Sequence, residues 1–321
     1  MRIKNFVFAL GLLISCKAIA AEPVEIIVTI KPLHSLVAGV IGNTGKADVL
    51  LEGYASPHDF QLKPSQMRVL QEAKVIFYID DGFELFLTRV FKMLPSSVKK
   101  IPILQNAELN ILPLRSGGVW GADKHKNHNH KETEEYLYNN SDMWHQGENQ
   151  YDMHVWLDPE NARRIVAFVA KELSIIYPRH AFAYKQNALK MIAKIDILDD
   201  KLKAHLADFQ DKPFIVFHDA YQYFEYAYGL KSIGSITFEP DESSTPSRIR
   251  EIRARLQESG AKCILQEPQF SSRLTRVIAD GTNAKGGILD PLGTEIARGK
   301  ELYFTLQQNL ADNLSQCLSS E

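Results

Sequence analysis

Twice along the chain, strand-length apolar runs alternate with helix-period segments, and no other property of the sequence restricts its fold as severely. The first set is VEIIVTI (24–30), ADVLL (47–51) and VIFYI (75–79), and the second is FIVF (214–217) and KCIL (262–265). Each run is rich in Val and Ile and is followed by polar or turn residues, as in βα units on a mostly parallel sheet. Helix starts are legible between them. Ser65 is placed to cap QMRVLQEA, Asp158-Pro159 opens ENARRIVAFVAKEL, and Thr245-Pro246 opens a helix that Gly260 closes.

Between the two sets, Leu189, Ile192, Ile195, Leu198, Leu202, Leu206 and Phe209 recur at spacings of three and four with no Gly or Pro to interrupt them. At 1.5 Å per residue, a helix over 178–209 spans roughly 45 Å, more than one small lobe requires. The expected fold class is therefore α/β. Two βα lobes with mostly parallel sheets, 21–177 and 210–321, are joined by one long rigid helix at 178–209 that resists large hinge motion.

The N-terminus has a separate logic. Arg2 and Lys4 precede an apolar run from Phe6 to Ile14, and Ala18-Ile19-Ala20 offers a small-residue cleavage site. Residues 1–20 read as a secretory signal peptide cleaved near Ala20, too short to span a bilayer. The second reading, a lipoprotein signal acylated at Cys16, ranks behind it because the downstream site accounts for the segment without lipid. Removing the signal leaves Cys263 and Cys317, an even count in an exported chain, where a disulfide is expected and two buried free thiols are the alternative. No later segment has the length and apolarity of a membrane span. With a formal net charge of −2 and dispersed basic residues, nothing marks a nucleic-acid surface.

Residues 115–151 break the pattern. They mix Gly, Asn, Lys, Glu and His with little apolar content, as in a mobile surface loop, and hold His125, His128, His130 and His145. Three other histidines fall where α/β sheets place ligands, beyond strand ends or in the loops that open helices. His218 directly follows FIVF, His58 lies in the loop after the second run, and His154 just precedes the helix begun at Asp158. Taken together they suggest a metal site in the cleft between the lobes. Asp290, ending a short apolar run, is a candidate fourth ligand or the cap of the turn at Pro291. His34 is read as a helix-start or supporting residue, and His180 and His205 as ordinary residues of the long helix.

The motifs KPLHSLVAGV, ASPHDFQLKPSQMRVLQEAKVIFYI, DMHVWLDPENAR, FHDAYQYFEYAYGL, EPQF and LDPLGTEI follow one another in an order that resembles the zinc-binding periplasmic proteins of ABC importers, the ZnuA type, from about residue 24 to the C-terminus. The resemblance implies two α/β lobes around a rigid helix, a metal between them, and delivery to an inner-membrane ABC zinc permease, with no catalytic step. It places three imidazole ligands on His58, His154 and His218, the His-rich acidic loop on the 115–151 segment, and a disulfide on Cys263 and Cys317. Pro57 stands where some members carry a glutamate ligand, so water, Asp290 or a loop histidine is left for the fourth position. Three imidazoles suit Zn²⁺ better than Mn²⁺, which prefers hard oxygen donors. The expected protein is a periplasmic monomer. The alternatives are a manganese or other divalent-metal carrier of the same fold, a zinc hydrolase using the open coordination position, and an adhesin with structural zinc.

Overall fold

The computed structural model describes residues 25–115, 120, 151–237 and 244–319. The signal segment with Cys16, and the loop histidines His125, His128, His130 and His145, lie outside the described residues. The first lobe runs β1 (Ile26–Val28), α1 (Lys31–Ile41), β2 (Ala47–Val49), α2 (Pro64–Glu72), β3 (Val75–Tyr78), α3 (Leu85–Phe91), β4 (Lys99–Pro102) and α4 (Ile103–Asn106). A short 3-10 turn (Val155–Leu157) and α5 (Pro159–Ile176) lead to the long α6 (Ala181–Leu206). The second lobe follows with β5 (Phe214–Val216), α7 (Gln222–Tyr228), β6 (Ser232–Ser235), α8 (Pro246–Ser259), β7 (Cys263–Gln266), α9 (Arg273–Ala279), β8 (Lys285–Ile288) and α10 (Leu302–Ser319).

Each lobe has one four-stranded parallel sheet, ordered β2-β1-β3-β4 in the first and β6-β5-β7-β8 in the second. Both lobes thus repeat one winding, with the first strand of each between the second and third. The five strands read from sequence are present, four with shorter bounds and the fifth shifted by one residue to Cys263–Gln266. Three more, Lys99–Pro102, Ser232–Ser235 and Lys285–Ile288, carry too little Val and Ile to be seen as strands. All three are edge strands, paired on one side only; β4 and β8 are also largely out of the core, while β6 is buried but built from Ser and Gly around one Ile.

The helix starts at Asp158 and Thr245 form as read. The Asp158 carboxylate accepts from Glu160 N, the Thr245 hydroxyl accepts from Arg248 N, and Gly260 closes α8 at φ 68°. Ser65 is a correction. Pro64 occupies the first helical position, so the cap is Lys63, whose backbone N–H is taken by the Gln66 side chain at 3.0 Å. Proline's fixed φ draws the helix start one residue earlier.

The long helix joins the lobes as expected, with 3-10 turns at Pro178–His180 and Ala207–Phe209 completing its ends. At 26 residues, α6 itself is about 39 Å long. Its buried face is rotated from the one read in sequence, running Tyr184, Ala188, Met191, Ile195, Asp199, Leu202 and Leu206, while Leu189 is 55% exposed. Polar Asp199 sits on the buried stripe because Arg163 and Lys203 pair with it, and apolar periodicity alone does not register such a position. At Gly39 α1 comes so near α6 that an added Cβ would stand 2.4 Å from Met191 Sδ.

One hydrophobic core runs continuously from the first sheet through α1, α5, α6 and α10 to the inner face of the second sheet. A smaller cluster with Ile215, Ile252, Ile264 and Ile278 fills the outer face of the second lobe. The shared core and the long helix weld the lobes together, which leaves the cleft at the strand ends as the place for a site. Cys263 of β7 and Cys317 of α10 are joined by a disulfide, so the expected bridge ties the C-terminal helix to a central strand. No helix among the described residues is long and apolar enough to cross a membrane.

Candidate metal centre

Three segments from both lobes converge on the cleft. His218 extends from the carboxyl end of β5, His154 opens the turn before α5, and His58 hangs from the loop between β2 and α2. Their ligand atoms all lie within 4.8 Å of one another, and among the described residues no other group of His, Cys, Asp or Glu gathers this way. The walls are mainly apolar or aromatic, with Ser56, Glu267 and Gln269 as polar members. Phe83 meets His58 and His154 edge-on, Trp156 packs beside His154, and Pro57, Phe270, Pro291 and Leu292 add apolar surface.

Two carboxylates orient the rings. His154 Nδ1 lies 2.8 Å from Asp152 Oδ1, which also accepts from the His154 backbone N–H at 2.9 Å. His218 Nδ1 makes a short hydrogen bond to Glu267 Oε1. Each Nδ1–H donates to a carboxylate oxygen, so each Nε2 presents its lone pair to the cleft. These two Nε2 atoms stand 3.3 Å apart. Two lone pairs do not hydrogen-bond, but two nitrogens on one tetrahedral Zn²⁺, each 2.0–2.1 Å from the ion, would lie about 3.3 Å from one another. The spacing is that of two corners of a zinc site.

The titration behaviour of the rings follows from burial and neighbours. Burial, with the charges of His218 and His154, holds His58 well below the usual imidazole range. Burial, with His218, does the same to His154. Burial would also depress His218, but the adjoining Glu267 carboxylate reverses the sign and raises it. Asp152, fully enclosed, is pushed up to about 7 by burial against the hydrogen bond from His154. Burial therefore favours neutral rings at His58 and His154, the form that coordinates metal, whereas Glu267 favours the charged ring at His218.

The other sequence candidates are placed elsewhere. Asp290 is not gathered with the three imidazoles. Its Oδ1 accepts from Leu292 N at 3.0 Å and Gln269 Nε2 at 2.8 Å, and its Oδ2 from Thr294 N, so its carboxylate caps the turn after Pro291. His34 sits in the first turn of α1 with Nε2 on Ala47 O at 3.1 Å. His180 precedes α6 in its 3-10 turn, and His205 contacts Ser315 Oγ on α10. Asp59, beside His58, is exposed, and Asp219, beside His218, is paired with Arg115.

Sequence reasoning missed Asp152 and Glu267. Both carried a signal: Asp152 stands two residues before His154, and Glu267 is an acid directly following a buried strand. Arg115 carried none, because its partners are more than a hundred residues away.

Residues 26–317 match the family described as zinc-uptake complex component A, periplasmic (ZnuA). The chain belongs to this family. Its relatives include the high-affinity zinc uptake system protein ZnuA of Brucella suis biovar 1 (strain 1330), 38% identical over 313 residues and covering 94% of each chain. The protein of the same name from Yersinia pestis is 30% identical over 294 residues, covering 91% of each. A crystal structure of ZnuA superimposes with a TM-score of 0.75 at 24% identity, covering 93% of this chain and all of that one, and shares its two-lobed fold. Membership accords with the three gathered imidazoles, a donor type that suits Zn²⁺.

Proposed function

We propose that this protein captures Zn²⁺ in the periplasm through His58, His154 and His218 and hands it to an inner-membrane ABC permease, acting as a monomer and without catalysis. One observation carries the ligand assignment: His154 and His218, from different lobes, present their Nε2 atoms 3.3 Å apart with each Nδ1 on a carboxylate. The zinc-uptake names of its relatives support the cargo. Water takes the fourth position, as Asp290 is engaged by its own turn and Pro57 has no donor. Residues 1–20 direct export and are removed near Ala20. His125, His128, His130 and His145 collect zinc weakly and pass it to the cleft; unchanged transfer kinetics and stoichiometry on deleting residues 121–147 would reject that role.

Titration calorimetry of the metal-stripped protein tests the main reading. One tight zinc site, lost in the His58→Ala/His218→Ala double variant, with weaker Mn²⁺ binding, is expected. A tight site that survives the double variant would refute the ligands, and equal or stronger Mn²⁺ binding would refute the metal.

A further inference from the structure

Arg115 belongs to the first lobe, yet its guanidinium faces the second. Nε donates to both carboxylate oxygens of Asp219 at 3.1 and 2.9 Å, and Nη2 also bonds Asp219. Nη1 donates to Glu225 Oε2 at 2.8 Å and Ser232 Oγ at 3.3 Å, while Nη2 reaches Glu225 Oε1 at 3.1 Å. Asp219 is the residue after His218, and Glu225 lies in α7, the helix into which that turn leads. Nε and Nη2 thus hold the turn that carries His218, while Nη1, with Nη2, holds α7 and the start of β6 beside it.

Arg115 is itself anchored to the His154 side. Pro113 bridges Tyr151 in antiparallel fashion, and Asp152 N donates to Leu112 O at 2.9 Å. The Tyr223 hydroxyl of α7 accepts from Leu112 N at 3.0 Å and donates to Asp152 O at 2.8 Å. The paired segments around residues 112–115 and 151–154 therefore rest on α7, with Arg115 closing one end and Tyr223 the middle. His154 and His218, 64 residues apart, belong to one hydrogen-bonded block, while His58 comes from a separate loop.

We propose that Arg115 is a positioning residue, whose fork locks the turn carrying His218 onto the paired segments carrying His154 and so holds the two Nε2 atoms at zinc-binding separation before the ion arrives. This rests on the reading of both histidines as ligands. Without the guanidinium, the Asp219 and Glu225 carboxylates face one another uncompensated and the turn relaxes. Glu267 still holds the His218 ring, so binding weakens but is not abolished. Because the block preorganises ligands, the loss falls on zinc dissociation.

The test compares Arg115→Gln, Arg115→Lys and His218→Ala in the full exported chain. It reads zinc dissociation into an excess of chelator, the d–d absorption of bound Co²⁺, and thermal unfolding of the metal-free protein. Arg115→Gln is expected to raise the dissociation rate about 10- to 100-fold and to weaken the tetrahedral Co²⁺ bands. Arg115→Lys, which keeps the charge but not the fork, should raise the rate at least about threefold. It carries the test if the glutamine variant fails to fold. A folded variant with a dissociation rate within about twofold of the parent and unchanged Co²⁺ bands would overturn the proposal, since a merely stabilising arginine would lower only the unfolding temperature. If His218→Ala still binds zinc tightly, the ligand assignment fails instead.

Discussion

Glu267→Gln puts the link between Glu267 and His218 under direct test. Glu267 is 2% exposed and hydrogen-bonded to His218 Nδ1, so it both fixes the ring and raises the basicity of Nε2. Glutamine keeps an acceptor of the same shape but removes the charge. A hydrogen bond to a charged group contributes about 1.5–3 kcal/mol and one between neutral groups about 0.5–1.5 kcal/mol. The difference of roughly 1–1.5 kcal/mol is about tenfold in zinc affinity at pH 7.5. The proton competes for the same Nε2. In the parent, the raised His218 begins to protonate at a higher pH than an ordinary imidazole, and zinc is lost as pH falls through that raised value. In Glu267→Gln the raising influence is gone and burial lowers the ring, so proton competition sets in at lower pH. The two affinity curves, measured by chelator competition from pH 7.5 to 5.5, should therefore start about tenfold apart and converge on acidification. Parallel curves, or a variant as tight as the parent at pH 7.5, would refute the role assigned to Glu267.

Three further outcomes follow from the fold. The Cys263–Cys317 bond closes a loop with a sequence separation of 54, and loop-closure entropy puts its removal at about 4 kcal/mol. Urea denaturation of metal-free Cys263→Ala/Cys317→Ala should show that loss, and a loss below about 1 kcal/mol would refute the entropic account. Asp158→Ala should cost about 1 kcal/mol by uncapping α5, whereas unchanged denaturation would mean that water replaces the cap without penalty. Gly39→Ala should destabilise by about 1–3 kcal/mol by displacing the Met191 side chain. A Met191→Ala background should remove most of that cost, and an undiminished cost in the double variant would show that backbone, not Met191, is in the way.

Much of the candidate site was legible because imidazoles at strand ends and helix starts are local marks. His58, His154 and His218 each sit beside a strand end or a helix start, and each is buried or half-buried in the cleft. Asp290 had an equally suggestive position, but its carboxylate is captured by N–H groups two and four residues on. Whether an aspartate faces a cleft or caps its own turn depends on backbone direction, which residue types do not encode. The edge strands β4, β6 and β8 escaped notice for a related reason, since pairing on one side demands little of the side chains.

The amino-acid pattern alone determined the α/β class, the two sets of βα units, the long joining helix and the three imidazoles, because periodicity and residue chemistry are local properties. Only the tertiary structure decided which face of α6 is buried, which carboxylates orient the rings, and how Arg115 spans the lobes. Those depend on contacts between residues such as Arg115 and Glu225, 110 positions apart. Such contacts exist only once the shared core has brought both lobes to a common cleft.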